Sequence, residues 1–389
     1  MMNMQVYLDN AATSYPKPEE VYQAMEHFMR EIGVSSGRGA YRKALEADRI
    51  IYEARKSLAE LFNVKDTKRI VFAANATEAL NLAMKGILSE GDHVITSSME
   101  HNAVWRPLKR LERERGVEIT QIQCSPDGSL ESPEMVRAAI KPNTKMVAII
   151  HASNVAGTII PVGEIGKICR ENGILMMVDT AQTAGVLPID VEAMNIDLLA
   201  FTGHKSLMGP QGTGGLYIRE GITLEPLKEG GTGSESALET QPDSLPDRYE
   251  AGTQNAVGLA GLRAGVRFIL SRGVENIRIR ESELTAYLLG KLRELDDVKI
   301  YGPQNPEKQV GVVSINVAHQ RPEDMGFVLD SVYGVMVRTG LHCAPCAHRT
   351  MGTIDRGTLR FSLGYFNTEA EIDHAAQSLN QIIQRRGRK

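Results

Sequence analysis

The sequence predicts an α/β protein: a large unit with a mostly parallel central sheet flanked by helices, then a smaller C-terminal α+β unit. Three observations carry this. Between residues 70 and 218, short apolar runs alternate with amphipathic stretches, the strand and helix order of a parallel sheet covered on both faces. Several of these runs end in polar or small residues, where ligands collect in such sheets. The chain's 389 residues also exceed what one hydrophobic core usually serves.

Taken in order, residues 6–8 are extended and break at Asp9-Asn10-Ala11-Ala12-Thr13. Pro16 and Pro18 lead into a helix with Val21, Met25, Phe28 and Ile32 on one face. Residues 33–39, GVSSGRG, are too glycine-rich for a regular element, and Arg38 within them reads as solvated rather than as a ligand contact. A second helix carries Ile51, Ala54, Leu58 and Leu61 on one stripe. After a strand at 70–72, Asn75-Ala76-Thr77-Glu78 opens a helix bearing Leu80, Met84 and Ile87. Free N–H groups and a hydroxyl at that start make a phosphate site, while Asn75 or Thr77 also suits a plain N-cap.

Strand 94–96 ends in Ser97-Ser98-Met99-Glu100-His101-Asn102, so His101 either stacks on a ligand or faces solvent. Strands at 119–123 and 145–151 flank the turn Pro126-Asp127-Gly128 and a helix around Val136, and Asn154 again follows a strand end. The apolar run 174–178 leads directly to Asp179. A carboxylate there is an N-cap for Thr180-Ala181-Gln182, or it needs a partner such as a protonated pyridine nitrogen.

Strand 198–201 ends at Thr202-Gly203-His204-Lys205, and a glycine-dense loop, 209–215, precedes the strand 216–218. Glycines let the backbone approach a ligand, and Thr202 and His204 put donors beside the amine. A P-loop would end in Gly-Lys-Ser/Thr, whereas here the lysine comes first. A lysine fixed beside phosphate-binding donors points to a Schiff base with pyridoxal 5'-phosphate. Asp179 for the ring nitrogen and Lys205 for the aldehyde then serve the two ends of one ring.

Residues 230–247 read as a long mobile loop. Helices at 257–270 and 284–295 follow, then strands at 310–316 and 335–338 around a helix at 323–333, a strand at 359–363 and a closing helix at 369–383. The run Arg385, Arg386, Gly387, Arg388, Lys389 reads as a frayed tail. The expected division is 1–18 as an N-terminal segment packing with the small unit, 19–258 as the large cofactor-binding unit, and 259–389 as the small unit with a cysteine loop.

A 42% apolar and 24% charged composition is ordinary for a soluble protein, and a net charge of −4 gives no nucleic-acid footprint. No apolar run reaches membrane-span length, and MMNMQVYLDN lacks the order of a signal peptide, which points to the cytoplasm. Four cysteines do not make a disulfide framework, and Cys124 and Cys169 read as packing residues.

Cys343 and Cys346 differ. The stretch Arg338-Thr339-Gly340-Leu341-His342-Cys343-Ala344-Pro345-Cys346-Ala347-His348 holds two cysteines and two histidines. Three readings compete: a metal site, which lacks the usual second knuckle; a Cys-x-x-Cys redox pair, which normally opens a helix; and a nucleophilic thiol on a mobile loop beside His342. Spacing alone does not choose among them.

Asp179-x-x-Gln182, Thr202-Gly203-His204-Lys205 and Arg338-Thr339-Gly340-x-His342-Cys343 together resemble the cysteine desulfurase and selenocysteine lyase family, among the class V aminotransferases of pyridoxal-phosphate fold type I. Residues 7–13, YLDNAAT, and 359–367, LRFSLGYFN, are similar to its signatures as well. The resemblance implies Lys205 as the Schiff-base lysine, Asp179 at the pyridine nitrogen, Gln182 at the ring hydroxyl and His101 stacked on the ring. Ala76, Thr77, Thr202 and His204 would hold the cofactor at its phosphate, with Thr253 reaching it from the other subunit of a homodimer. Ala11, Asn154, Arg338 and Arg360 would surround the substrate, L-cysteine or L-selenocysteine, the arginine at 360 gripping its carboxylate bidentately.

Cys343 would take the sulfur as a persulfide and pass it to a protein acceptor, as in iron–sulfur cluster assembly. No metal is expected. Cys346 departs from the commoner pattern and reads as a spectator, a resolving thiol or a second sulfur carrier. Other readings are a selenocysteine lyase, another class V C–S lyase, and a metal- or redox-switched binding protein built on Cys343 and Cys346.

Overall fold

The computed structural model describes residues 5–37 and 39–386. The readings for Arg38 and for Gly387, Arg388 and Lys389 lie outside those residues. The chain opens with β1 (Val6–Tyr7) and α1 (Glu19–His27), which a π-helical turn, Phe28–Ile32, prolongs to α2 (Arg42–Phe62). Next come β2 (Ile70–Ala73), α3 (Ala76–Ile87), β3 (His93–Ser97), α4 (Asn102–Arg115), β4 (Glu118–Ile122), α5 (Glu134–Ala138) and β5 (Thr144–Ile150). Then α6 (Val162–Glu171), β6 (Leu175–Asp179), β7 (Leu198–Thr202) and β8 (Gly214–Ile218) complete a 7-stranded sheet of order β2-β8-β7-β6-β5-β3-β4.

The sheet is parallel except for β8, which runs antiparallel to both β7 and β2. Residues 203–213 return directly from β7 to β8 without a crossover helix, and such a connection forces the reversal. Strands buried on both faces need apolar residues at every position. Accordingly Val147, Val178 and Leu199 face a core with Phe28, Leu58 and Leu262, while Met146, Met177 and Leu216 face Leu80, Met84, Val104 and Leu108. Each such fully buried side chain contributes about 1.5–3 kcal/mol. Gly214 has a reason of its own: a Cβ there would stand 2.7 Å from the Asn75 Cα, so glycine lets β8 pass against the start of α3.

The remainder holds α7 (Ala256–Arg272), α8 (Val274–Arg293), β9 (Val298–Tyr301), β10 (Val312–Val317), α9 (Pro322–Tyr333), β11 (Val335–Met336), β12 (Arg338–Gly340), α10 (Pro345–Thr350), β13 (Thr358–Ser362) and α11 (Glu369–Arg386). An antiparallel 4-stranded sheet, β12-β13-β10-β9, packs with α8, α9 and α11 around Leu284, Val313, Ile315, Phe361 and Leu379. Val6 and Leu8 enter the same core, because β1 pairs in parallel with β11. No helix among the described residues is long and apolar enough to cross a membrane.

Several expectations change. The strand at 335–338 splits into β11 and β12, which join different sheets. Arg385 and Arg386 continue α11 instead of fraying. Residues 230–247 are cross-tied: the Gln241 side chain accepts from Gly230 N–H at 3.0 Å and donates to the Asp247 carbonyl at 3.2 Å, so polar side chains close the loop on itself. Helix α7 runs unbroken through residue 258, with Leu262, Val266 and Ile269 in the first core, and the next break is Gly273 at φ +82°. Cys124 and Cys169 are buried in apolar clusters, as read from the sequence.

Candidate active site

The carboxyl ends of β3, β5, β6 and β7 meet the start of α3 around a cavity of about 430 Å³ lined by Thr77, His101, Asn154, Asp179, Gln182 and Lys205, among others. Lys205 leaves β7 in a loop held by Gly203 N–H to the Thr213 carbonyl and Met208 N–H to the Lys205 carbonyl, both at 2.8 Å. The N-terminal segment clamps it from outside: Thr13 Oγ1 donates to the His204 carbonyl at 2.9 Å and Ser14 Oγ to the Lys205 carbonyl at 2.8 Å. Lys17 Nζ also donates to the His204 carbonyl, at 3.0 Å, and burial pulls its amine down to about 8.

Burial in the cavity likewise draws the Lys205 amine down to about 8, with Asp179 opposing and Arg360 and Arg338 adding to the fall. Asp179 is 3% exposed, and burial pushes its carboxyl up. The Ala181 N–H, 2.9 Å from Oδ1, and the charge of Lys205 resist that rise. No helix follows Asp179 for it to cap: one oxygen orders the following turn, and the side chain lines the cavity.

His101 is the N-cap of α4: its Nδ1 accepts from Ala103 N–H at 3.0 Å, which leaves the neutral ring's proton on Nε2. Burial, with Lys205 and Arg338 nearby, holds this imidazole down to about 4, so it is uncharged at neutral pH. At α3, Asn75 Oδ1 caps by accepting from Glu78 N–H at 3.0 Å, which frees the Thr77 hydroxyl from that duty. Thr202 Oγ1 and His204 Nδ1 are buried without a partner, as are Asn154 Oδ1 and Arg360 Nε. Leaving each such atom unpaired costs about 1–3 kcal/mol, and three of them, on Asn154, Thr202 and His204, belong to residues that line the one cavity, which marks polar groups kept for a ligand. With the Lys205 amine, the Asp179 carboxylate, the start of α3 and the Thr77, Thr202 and His204 side chains around one cavity, the residues fit pyridoxal phosphate.

Gln182 Nε2 donates to the Ala11 carbonyl at 3.1 Å, so Ala11 stands one layer behind the cavity rather than in its lining. Arg360, 1% exposed on β13, donates from Nη2 to Asp9 Oδ1 at 2.6 Å and from Nη1 to the Asn154 carbonyl at 2.9 Å. Both Nη atoms of its fork are thus engaged, while Nε has no partner. Arg338 pairs in register with Arg360 on β12. Thr253 is exposed and faces a different groove, with Gly212, Lys228 and Glu250.

Cys343 is exposed and does not line the cavity, yet its turn is tied to it. Ala344 N–H donates to the Leu341 carbonyl at 2.9 Å, and the two residues between have φ of +48° (His342) and +59° (Cys343). Two successive positive φ values in a closed four-residue turn are those of type I′, which favours Asn-Gly; in His-Cys each residue stores about 1–3 kcal/mol. Asn102 N–H, beside His101, donates to the Cys343 carbonyl at 2.8 Å, and Asn154 Nδ2 donates to the His342 carbonyl at 2.7 Å. The turn that carries Cys343 is therefore anchored in this structure, with the cavity rim supplying its backbone partners. Pro345 opens α10, so the Cys-x-x-Cys pair does stand at a helix start.

Asp9, Lys17 and Glu100 were not anticipated as site residues. Glu100 is completely buried; its Oε1 accepts from Ser97 Oγ at 2.6 Å and from Ile150 N–H at 3.0 Å, and Ile150 pairs in register with Asp179. Its place beside His101 at a strand end was the available signal.

The cavity and its Lys205–Asp179 pair, at the ends of a mostly parallel sheet, define a pyridoxal-phosphate-dependent enzyme. The aminotransferase class-V family profile matches residues 6–374. A probable cysteine desulfurase of Methanothermobacter thermautotrophicus is 35% identical over 386 residues, covering 97% of this chain and 94% of that protein. The apo structure of a cysteine desulfurase from Thermococcus onnurineus superposes with a TM-score of 0.92 at 35% identity, covering 98% of this chain and 95% of that one. An Escherichia coli cysteine desulfurase in an S-sulfonic acid form superposes with a TM-score of 0.87 at 26% identity, covering 98% and 95%. The chain belongs to the class-V aminotransferases and, within them, to the cysteine desulfurases.

Proposed function

We propose that the protein converts L-cysteine to L-alanine and takes the sulfur onto Cys343 as a persulfide. The observation that carries this reading is the tie between two parts: a buried Lys205–Asp179 pair in the cavity, and an exposed Cys343 whose turn hangs on Asn102 and Asn154 at the cavity rim.

Bound pyridoxal phosphate supplies an electron sink for charge developing at the substrate Cα. When the cofactor is bound, Asp179 would keep its ring nitrogen protonated, Gln182 would meet the ring hydroxyl and the uncharged His101 ring would stack on it. Ala76 and Thr77 at the start of α3, with Thr202 and His204, would hold the phosphate. Asn154 and Arg360, with Arg338 alongside, receive the substrate carboxylate as Asp9 gives way, and Ala11 backs Gln182. An amine at about 8 exchanges protons readily near neutral pH, so Lys205 Nζ moves the proton at Cα. The Cys343 thiolate attacks the substrate sulfur: an S–S bond forms at Cys343 Sγ, the substrate C–S bond breaks, and the three-carbon fragment leaves as alanine after protonation.

The exposed thiol suits delivery to a protein acceptor, and L-selenocysteine would enter by the same contacts. Thr253, exposed and outside this chain's own cavity, fits a homodimer in which it reaches the partner's phosphate. Four free cysteines suit a reducing, cytoplasmic setting. We further propose three units, with the second boundary at Gly273 rather than at 258, since α7 packs on α1 and α2. A metal-switched binding module is disfavoured because three of its four candidate ligands, His342, His348 and Cys346, already have side-chain partners. His342 and His348 face each other at 3.4 Å, His348 bonds Thr353 at 2.7 Å, and Cys346 Sγ accepts from Arg349 at 3.0 Å.

The test is to incubate the holoenzyme with L-cysteine and measure alanine, pyruvate and transferred sulfur together. Alanine matched by sulfur supports desulfuration, whereas pyruvate with ammonia would identify a β-lyase.

A further inference from the structure

We propose that Cys346 resolves the persulfide on Cys343, closing a Cys343–Cys346 disulfide and releasing hydrogen sulfide, so that turnover halts until a dithiol reductant reopens the pair. The proposal rests on the reading of Cys343 as the sulfur-bearing nucleophile.

Cys346 is unlike the other buried cysteines of this chain. Cys124 and Cys169 lie inside apolar clusters. Cys346, 2% exposed, belongs to none of the apolar clusters among the described residues, and its sulfur accepts a hydrogen bond from the Arg349 guanidinium at 3.0 Å. Arg349 is itself exposed, so the donor to this sulfur is a cation on a solvent-exposed residue. A packing cysteine has no use for such a donor; a thiol that must react benefits from one.

The backbone brings the two cysteines onto one closed segment. Cys343 occupies the third position of the type I′ turn, Pro345 is the first residue of α10 and Cys346 the second. The ends of the segment are pinned by the His342 and His348 rings, stacked at 5.6 Å with an interplanar angle of 16° and 3.4 Å between Nδ1 and Nε2. His348 Nδ1 is fixed in turn by Thr353 Oγ1 at 2.7 Å. The result is an exposed cysteine two residues before α10 and a buried cysteine in its first turn, at the Cys-x-x-Cys spacing of a dithiol redox pair.

The step balances without an outside oxidant. Cys346 Sγ attacks Cys343 Sγ; the new Sγ–Sγ bond forms as the bond from Cys343 Sγ to the terminal sulfur breaks. That sulfur leaves with the electron pair as hydrosulfide and takes up the proton given by Cys346. The terminal sulfur gains two electrons and the two cysteines lose them, so desulfuration itself supplies the oxidising equivalent. A dithiol reductant, which the step does not consume, later restores both thiols.

The experiment uses reduced holoenzyme, freed of reductant under anaerobic conditions and mixed with one equivalent of L-cysteine per chain. Alanine, free sulfide and the mass of the peptide carrying both cysteines are then measured for the wild type and for Cys346→Ser. We expect the wild type to release its sulfur as sulfide and to yield a peptide two hydrogens lighter than the dithiol. Cys346→Ser should still form alanine, lose most of its sulfide release and yield a peptide one sulfur heavier. The wild-type measurement alone decides the matter if the variant fails to fold. A wild-type peptide that retains the extra sulfur on either cysteine, with no disulfide, would overturn the proposal. Failure to form any alanine would instead sink the desulfurase reading, and the proposal with it.

Discussion

Replacing Glu100 with glutamine should make stability less sensitive to pH, in an amount that follows from the site. Burial, opposed by the Ser97 hydroxyl and Ile150 N–H and reinforced by the charge of Asp179, raises the Glu100 carboxyl from the usual 4.5 to about 8. Cys124 is the other titratable group that feels Glu100, and its thiol stays protonated across this range. Below pH 4.5 the carboxyl is protonated in folded and unfolded chains alike, so it makes no pH-dependent contribution. Between 4.5 and about 8 only the unfolded chain releases the proton, and stability falls by about 1.4 kcal/mol per pH unit. Across the whole window the loss is about 5 kcal/mol, and above it the two states ionise together and the loss is constant. In Glu100→Gln this term vanishes. The amide keeps both bonds to Oε1 but puts N–H groups where Oε2 has no partner, a cost of about 1–3 kcal/mol that does not change with pH. Thermal midpoints of both proteins, taken at matched scan rate from pH 5 to 8, should converge or cross as pH rises, with the variant gaining by several degrees. Parallel curves would refute the reasoning, since they would mean that Glu100 already ionises in the folded protein.

Three further outcomes are expected. Lys205→Ala purified with pyridoxal phosphate should lack the visible absorbance of lysine-bound cofactor and have no turnover; a wild-type spectrum would remove Lys205 from its role. Cys343→Ser should still change the cofactor spectrum on adding L-cysteine yet lose sulfur release, and unchanged release would identify a lyase that needs no thiol. Glu250 bonds both Nη atoms of the buried Arg55, at 2.6 and 2.9 Å, and accepts from Phe72 N–H on the edge strand β2 at 2.7 Å. Glu250→Ala should therefore cost about 3–5 kcal/mol in denaturant unfolding, because it strands a buried guanidinium, and a loss under about 1 kcal/mol would show that water reaches the pair.

Legibility in the sequence tracked how local each cause is. The strands β5, β6 and β7 are apolar on both faces, so their runs stood out without any knowledge of neighbours. Helix α4 was missed because Pro107 lies inside it and its cap is a histidine, an unusual N-cap. Strand β9, VKIY, is half-exposed at a sheet edge and has no strong pattern to read. Local apolarity also cannot say that Met336 and Arg338 belong to different sheets. Lys205 and Asp179 were legible because their chemistry lies in a residue type at a strand end. Asp9 was not, since its partner Arg360 is 351 residues away, and Glu100 acquires its meaning only when Ile150 N–H is brought to it.

The link between cavity and thiol passes through Asn154. Its Nδ2 holds the His342 carbonyl in the strained turn, its own carbonyl accepts from Arg360, and its Oδ1 is buried and unpaired. Two left-handed residues in that turn store about 1–3 kcal/mol each, against about 0.5–1.5 kcal/mol from each of the bonds made by Ala344, Asn102 and Asn154. The strain and the anchoring bonds are thus of similar size, so losing one anchor weakens the turn. A carboxylate that displaces Asp9 from Arg360 acts on the same arginine that grips the Asn154 carbonyl, so substrate arrival is felt one residue contact away from Cys343.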